Sequence, residues 1–257
     1  MILYKHIDLN DDQELFIVGD LHGSYDLYTK GAHILGIREE DVVISLGDLT
    51  DRGEQNFRCV LEFTRKKNHY AIRGNHEDMM IRGMLEGSRD YYQCWYQNGG
   101  WTVWNEMGEE GVTLLATMVE ELPVVLTAAH RGKTYGFIHG GYPSVFEHLP
   151  LTDIPKLNLE GERLQAFAES LMWDRDMVTC AQEGLSLPKV LGVDYVFHGH
   201  SYVQEPLINA NRIYMDTGSC FNGKLTIARV DEDGIYFHTT DPLDDEGTEF
   251  VYNPDSN

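Results

Sequence analysis

GDLTDRG, residues 47 to 53, follows directly on the apolar run Val42-Val43-Ile44-Ser45-Leu46. Two carboxylates, an arginine and two glycines stand where a buried strand should end. Such a burst of charge is either a solvated turn or a site, and the other strand ends decide between them. LFIV (15–18) leads into Gly19-Asp20-Leu21-His22-Gly23, and HYAIR (69–73) into Gly74-Asn75-His76-Glu77. TYGFI (134–138) leads into His139-Gly140-Gly141, and DYVF (194–197) into His198-Gly199-His200. Independent turns have no reason to repeat glycine and a metal ligand after strand upon strand. In α/β sheets the crevice beyond the carboxyl ends of the strands is where ligands bind.

The donors are Asp, His and Asn without thiolates, which suits Mn²⁺, Fe²⁺ or Zn²⁺; a pure Ca²⁺ or Mg²⁺ site would seldom use three histidines. They outnumber what one tetrahedral ion needs, so two ions are the economical reading. Asp48 is the expected bridging carboxylate, because its segment lies between the other two early ones.

Composition narrows the rest. The chain has 257 residues, of which 42% are hydrophobic and 11% aromatic, enough for a real core. A net charge of −22 repels polyanions, so general nucleic-acid binding and docking on anionic membranes are not expected. Cys59, Cys94, Cys180 and Cys220 form no C-x-x-C pair, which argues against a thiolate zinc site and for a reducing compartment. The start, MILYKHIDLNDDQ, lacks the apolar stretch of a signal peptide, and no apolar run reaches the roughly 18 residues of a membrane span. These features lead to the expectation of a soluble cytoplasmic protein.

Helical spacing at Phe57, Val60, Leu61 and Thr64, and again at Met79, Met80, Gly83 and Met84, alternates with the early strands and predicts βαβ units. RIYM (212–215), KLTIARV (224–230) and GIYF (234–237), with DEDG (231–234) as a hairpin turn, make the second half richer in strands. The class is α/β: a mixed sheet, or two packed sheets, flanked by helices. One catalytic domain is expected over residues 1–240. Residues 87–131, with WYQNGGWTVW (95–104) and GVTLLATMVEEL (111–122), read as a mainly helical insert beside the site. The acidic stretch 241–257 reads as a solvated, partly disordered tail.

GDLHG, GDLTDRG and GNHE, in that order, resemble the signature of metallophosphoesterases, and more narrowly the PPP-type serine/threonine protein phosphatases of the bacterial and phage branch. FIHGG (137–141), FHGHS (197–201), MDTGSCFNGKLT (215–226) and WYQNGGW (95–101) are similar to segments of that branch, and the likeness extends over about residues 14 to 230. The resemblance implies an α/β/β/α sandwich of two mixed sheets with a dinuclear centre. Asp20 and His22 would hold the first ion and Asp48 would bridge; Asn75, His139 and His200 would complete the second. Arg52, Arg73 and, in LMWDR (171–175), Arg175 would contact phosphate. His76, paired with Asp51, would be the general acid. His198 and His200 are two apart in a strand and so should face the same side; the family pattern selects His200.

The implied reaction is hydrolysis of phosphoserine and phosphothreonine on proteins by direct attack of a hydroxide bridging two divalent ions, Mn²⁺ foremost. The nearest rival is a symmetrical diadenosine tetraphosphate hydrolase or another small-molecule phosphoesterase, which often has V-A-R-G where this chain has Thr50-Asp51-Arg52-Gly53. A non-catalytic protein that binds phosphorylated partners would be expected to lose ligands first, and all six proposed ligands are present.

Overall fold

The computed structural model describes residues 1 to 253; for Asp244, Asp245 and Glu246 it describes the backbone alone. Strands β1 (Ile2–Asp8) and β2 (Leu15–Val18) precede helix α1 (Tyr25–Ile34). Strand β3 (Val42–Ser45), helix α2 (Asn56–Arg65), strand β4 (His69–Ala71) and helix α3 (Asn75–Met84) continue the alternation. Helices α4 (Arg89–Trp95) and α5 (Trp101–Val119) are joined by a π-helical turn, Tyr96–Gly100. Strands β5 (Pro123–His130) and β6 (Lys133–Ile138) lead to helices α6 (Gly161–Trp173) and α7 (Asp176–Gln182). Strands β7 (Tyr195–Tyr202), β8 (Leu207–Asn209), β9 (Arg212–Asp216), β10 (Leu225–Val230), β11 (Ile235–Asp241) and β12 (Asp244–Tyr252) complete the chain.

Two mixed six-stranded sheets result, ordered β1-β5-β6-β7-β9-β8 and β12-β11-β10-β2-β3-β4. Strict alternation explains their stacking, because successive side chains of a strand point to opposite faces. Leu15 and Ile17 of β2 meet Leu126, Phe137, Phe197 and Ile213 of the other sheet. Phe16 and Val18, the intervening residues, meet Val60, Phe63, Met79, Trp95 and Leu115 from the helices. On the far side Val124, Ile138 and Val196 pack against Leu171 and Met172 of α6. Both faces of each sheet are therefore buried, and the layers run α/β/β/α.

Strands β2, β3 and β4 are mutually parallel, as are β6, β7 and β9. The candidate ligand residues stand at or just beyond the carboxyl ends of these strands.

Three segments depart from the sequence expectation. Residues 123–130 are not helical insert but β5, buried between β1 and β6 with Pro123 at its first position, where proline is tolerated in a sheet. Within α5, Gly108 at φ 67° interrupts the helix before the predicted stretch begins. The acidic segment read as a tail supplies β12, which pairs antiparallel with β11 from Ile235↔Tyr252 to Asp241↔Asp244. Residues 254–257 lie outside the described residues. Among the described residues no helix is long and apolar enough to cross a membrane.

Candidate active site

The loops after β3 and β4 are drawn together by Glu77. Its buried carboxylate accepts the backbone N–H groups of Gly74 (2.9 Å), Asp48 (2.9 Å) and Leu49 (2.8 Å). The amino end of α3 is thereby fixed against the loop after β3, and the His76 N–H reaches Asp48 Oδ1 (3.1 Å). Burial, then the charge of Asp48, raise the Glu77 pKa to about 7.

Around Asp48 the donors form two groups, His22–Asp48–His76 and Asp48–His139–His200, each with its ligand atoms within 4.8 Å of one another. Asp48 Oδ2 stands 3.6 Å from His22 Nε2 and 3.3 Å from His139 Nε2, which places Asp48 in both groups. Asn75 Oδ1 lies 2.9 Å from His139 Nε2. Asp20 is joined through its Oδ2, which accepts the His200 N–H (2.9 Å).

Backbone carbonyls set the ring orientations. His22 Nδ1 donates to Thr50 O (2.8 Å) and His139 Nδ1 to Leu46 O (2.7 Å), so both rings turn Nε2 toward Asp48. Five of the eight described non-glycine residues at positive φ belong to this site: His22, Asp48, Asp51, Arg52 and His200. Each such conformation costs on the order of 1–3 kcal/mol and persists where the surroundings enforce it.

The donors fit divalent ions on two observations. Asp20 Oδ1 and His200 Nε2 are buried without a hydrogen-bond partner, an expensive state that a cation would relieve. A Cβ at residue 199 would lie 2.0 Å from Asp20 Oδ1, so only glycine leaves that oxygen its space. Electrostatics agree for two of the three imidazoles. Burial, then His76, push His22 down to about 3, and burial, then His139, push His200 down to about 2, which keeps both imidazoles in the neutral, ligating form. Burial pulls His139 down as well, but Asp48 and Asp20 outweigh it and raise it to about 10. Burial, then Asp216, raise Asp20.

Within the first group, His76 turns its Nδ1 to Asp51 Oδ2 at 2.5 Å. Trp95 donates its indole N–H to the other Asp51 oxygen (3.0 Å), so the carboxylate is held from both sides. Burial opposes charge on His76, yet Asp48 and the Asp51 hydrogen bond outweigh it and raise its pKa. Arg52 spreads its fork across the site, Nη1 2.7 Å from His22 Nε2 and Nη2 3.0 Å from His76 Nε2. Arg175 is exposed at the start of α7, near enough to His200 to contribute to lowering its pKa. The Trp173 ring stands edge-on to His200 at 5.9 Å. It also lines a cavity of about 600 Å³ with Tyr91, Cys94 and Ala166.

Two expectations are corrected. Arg73 does not face the ligand groups: Nη1 donates to Asp78 Oδ1 (3.3 Å), Nη2 donates to the Glu120 carbonyl, and its backbone N–H bonds Pro123 O (2.7 Å). Being nearly fully buried, it is committed to tying α3 to the end of α5 and the start of β5. His198 and His200 do not share a side. His200 sits at φ 66°, which breaks the strand alternation, and His198 instead stacks on Tyr214 at 4.9 Å and donates to Ile138 O. The residues that sequence reasoning passed over are Trp95 and Asp216. Asp216 also stands at the carboxyl end of a strand, β9, and is buried close enough to raise the pKa of Asp20. That repeated placement was its signal.

The description "Calcineurin-like phosphoesterase" matches residues 14–204. Serine/threonine-protein phosphatase 1 of Salmonella typhimurium is 27% identical over 232 residues, 89% of this chain and 97% of that protein. An asymmetrical bis(5'-nucleosyl)-tetraphosphatase of Halalkalibacterium halodurans is 24% identical, covering 84% of this chain and 89% of its own. A solved protein serine/threonine phosphatase from Saccharomyces cerevisiae superposes with a TM-score of 0.62 at 14% identity, over 95% of this chain and 84% of that one.

Proposed function

The chain belongs to the calcineurin-like phosphoesterases, and from that premise we propose that it hydrolyses phosphoserine and phosphothreonine on proteins. The observation that carries this reading is the Asp51–His76 pair, 2.5 Å apart, whose imidazole also stands in the first ligand group with His22 and Asp48. A serine or threonine alkoxide is a strongly basic leaving group and needs a proton as it departs. A nucleotide polyphosphate departs as a phosphate anion and needs none. An oriented, basic imidazole is thus of most use to a phosphomonoesterase with alkyl ester substrates.

In this proposal Asp20 and His22 would hold one divalent ion, Asn75, His139 and His200 would hold the other, and Asp48 would serve both. That set of oxygen and imidazole donors suits Mn²⁺, Fe²⁺ or Zn²⁺, and Mn²⁺ is the ion proposed. When bound, the ions would polarise the phosphoryl oxygens and bring water to nucleophilic strength near neutral pH. The protein's own groups do the rest. Arg52 presents a planar fork to two phosphate oxygens and gains strength as charge shifts onto them. Arg175, at the rim, adds a second cation. His76 gives a proton from Nε2 to the leaving oxygen, while Asp51 holds Nδ1 and Trp95 holds Asp51. Arg73, held by Asp78 and the Glu120 carbonyl, anchors α3. Residues 1–240 act as one catalytic unit, with α4 and α5 beside the site. The cavity beside Trp173 offers room for side chains flanking the phosphorylated residue.

The rival reading, hydrolysis of dinucleoside polyphosphates, takes its support from the tetraphosphatase relative. A panel of phosphoserine, phosphothreonine and phosphotyrosine peptides and diadenosine tetraphosphate, assayed with Mn²⁺, separates the two. The phosphoserine and phosphothreonine peptides should give the highest kcat/KM. Preference for the dinucleotide by tenfold or more would overturn the proposal.

A further inference from the structure

The stretch WYQNGGW contributes no ligand, yet it is built against Arg52. The π-helical turn Tyr96–Gly100 sets Gly99 at φ 120° and ψ −5°, a backbone that side chains other than hydrogen rarely adopt. A Cβ at that position would lie 2.6 Å from Arg52 Cγ and 3.3 Å from Arg52 N. The Gly99 carbonyl accepts the Arg52 N–H (3.3 Å), and the Asn98 carbonyl accepts Arg52 Nε (3.2 Å). One flank of the arginine is thereby fitted to bare backbone.

Phe221, on the loop between β9 and β10, meets the guanidinium end of the same side chain. It is 72% exposed, unusual for so large an apolar ring, yet its ring centre stands 5.2 Å from Arg52 Cζ. The loop is itself anchored to the site, since Ser219 Oγ donates to the carbonyls of Asp20 (2.6 Å) and Leu21 (3.0 Å). The position of the ring is therefore referred to the same loop that carries Asp20 and His22.

We propose that Gly99 and Phe221 form a bracket that holds the Arg52 guanidinium in place for phosphate; they are positioning residues, and the inference rests on the reading of Arg52 as a phosphate contact. A long side chain loses rotamer freedom when it grips a ligand, and one already bracketed has lost it beforehand. The ring adds a cation–π attraction that remains when the fork turns from the histidines to a phosphate.

The test is calorimetric titration of inorganic phosphate into Mn²⁺-loaded protein, with metal content measured for every variant. Phe221→Ala should weaken phosphate binding about 3- to 10-fold, within the range of a cation–π contact. Phe221→Tyr should restore it. Gly99→Ala should weaken it by more than about tenfold, because the new methyl group displaces Arg52. Metal content should match the unmodified protein throughout. In the Arg52→Ala background, Phe221→Ala should have no additional effect. If Arg52→Ala weakens phosphate binding but neither Phe221→Ala nor Gly99→Ala does, the bracket is wrong and the reading of Arg52 stands. If Arg52→Ala itself leaves binding unchanged, the reading of Arg52 fails, and the bracket fails with it.

Discussion

Asp48→Asn should strip the protein of both divalent ions and of its hydrolytic activity together. Its Oδ2 is the atom common to the two ligand groups, 3.6 Å from His22 Nε2 and 3.3 Å from His139 Nε2. The side chain is buried, and although burial favours the neutral acid, His139 and His76 outweigh it and hold the carboxyl far below its usual range. Asparagine would keep the shape and remove the charge that two cations would share. Loss of a mere outer partner of a metal ligand costs about 10- to 100-fold in metal affinity; loss of a shared ligand should exceed that at both sites. His22→Asn touches one group only and should leave one ion bound. Elemental analysis of protein equilibrated with Mn²⁺ reads the difference. Loss of the same single ion in both variants would contradict a shared Asp48.

The second large effect is expected at His76. His76→Asn should lower turnover of a phosphoserine peptide on the order of 10²–10⁴-fold, the usual contribution of a positioned acid. On an activated aryl phosphate, which departs as a stabilised phenolate, the loss should be clearly smaller. Asp51→Asn should show the same bias in milder form, because the imidazole stays but loses the 2.5 Å partner that orients it and raises its pKa. Asn75 is the neighbouring residue, so metal content is measured alongside. Equal losses on both substrates with metal intact would remove His76 from the role of acid.

Much of this was legible in the sequence, for a physical reason. LFIV and VVIS are buried on both faces, so they read as continuous apolar runs, and the polar residues that follow them could only be turns or ligands. The strands that escaped notice lack that contrast. ILYKHID of β1 is an edge strand, partly exposed along its length, and DDEGTEFVY of β12 owes its order to pairing with β11 rather than to its own composition. PVVLTAAH is apolar enough, but it ends in no ligand and follows a helical stretch.

The candidate site divides in the same way. Asp20, His22, Asp48, Asn75 and His139 announce themselves by following strands, and His200 by following the apolar run DYVF. Arg73 stands beside the same motif, but an arginine reaches far, and its partners, Asp78 one turn along α3 and the carbonyl of Glu120, depend on how α5 packs. The parity of His198 and His200 was misjudged because periodicity assumes an unbroken strand, and His200 lies at φ 66°. The hydrogen bond from Trp95 to Asp51 bridges 44 positions and needed the fold to appear.

The central claim is that this chain is a phosphatase working through a pair of ions shared at Asp48. It is tested most directly by removing all metal with a chelator and following phosphoserine-peptide hydrolysis as Mn²⁺ is returned in measured equivalents. Activity should be absent from the stripped protein, and should reach its plateau only as the second equivalent per chain is bound. Full hydrolysis by thoroughly metal-free protein, or a plateau already complete at one equivalent, would contradict it.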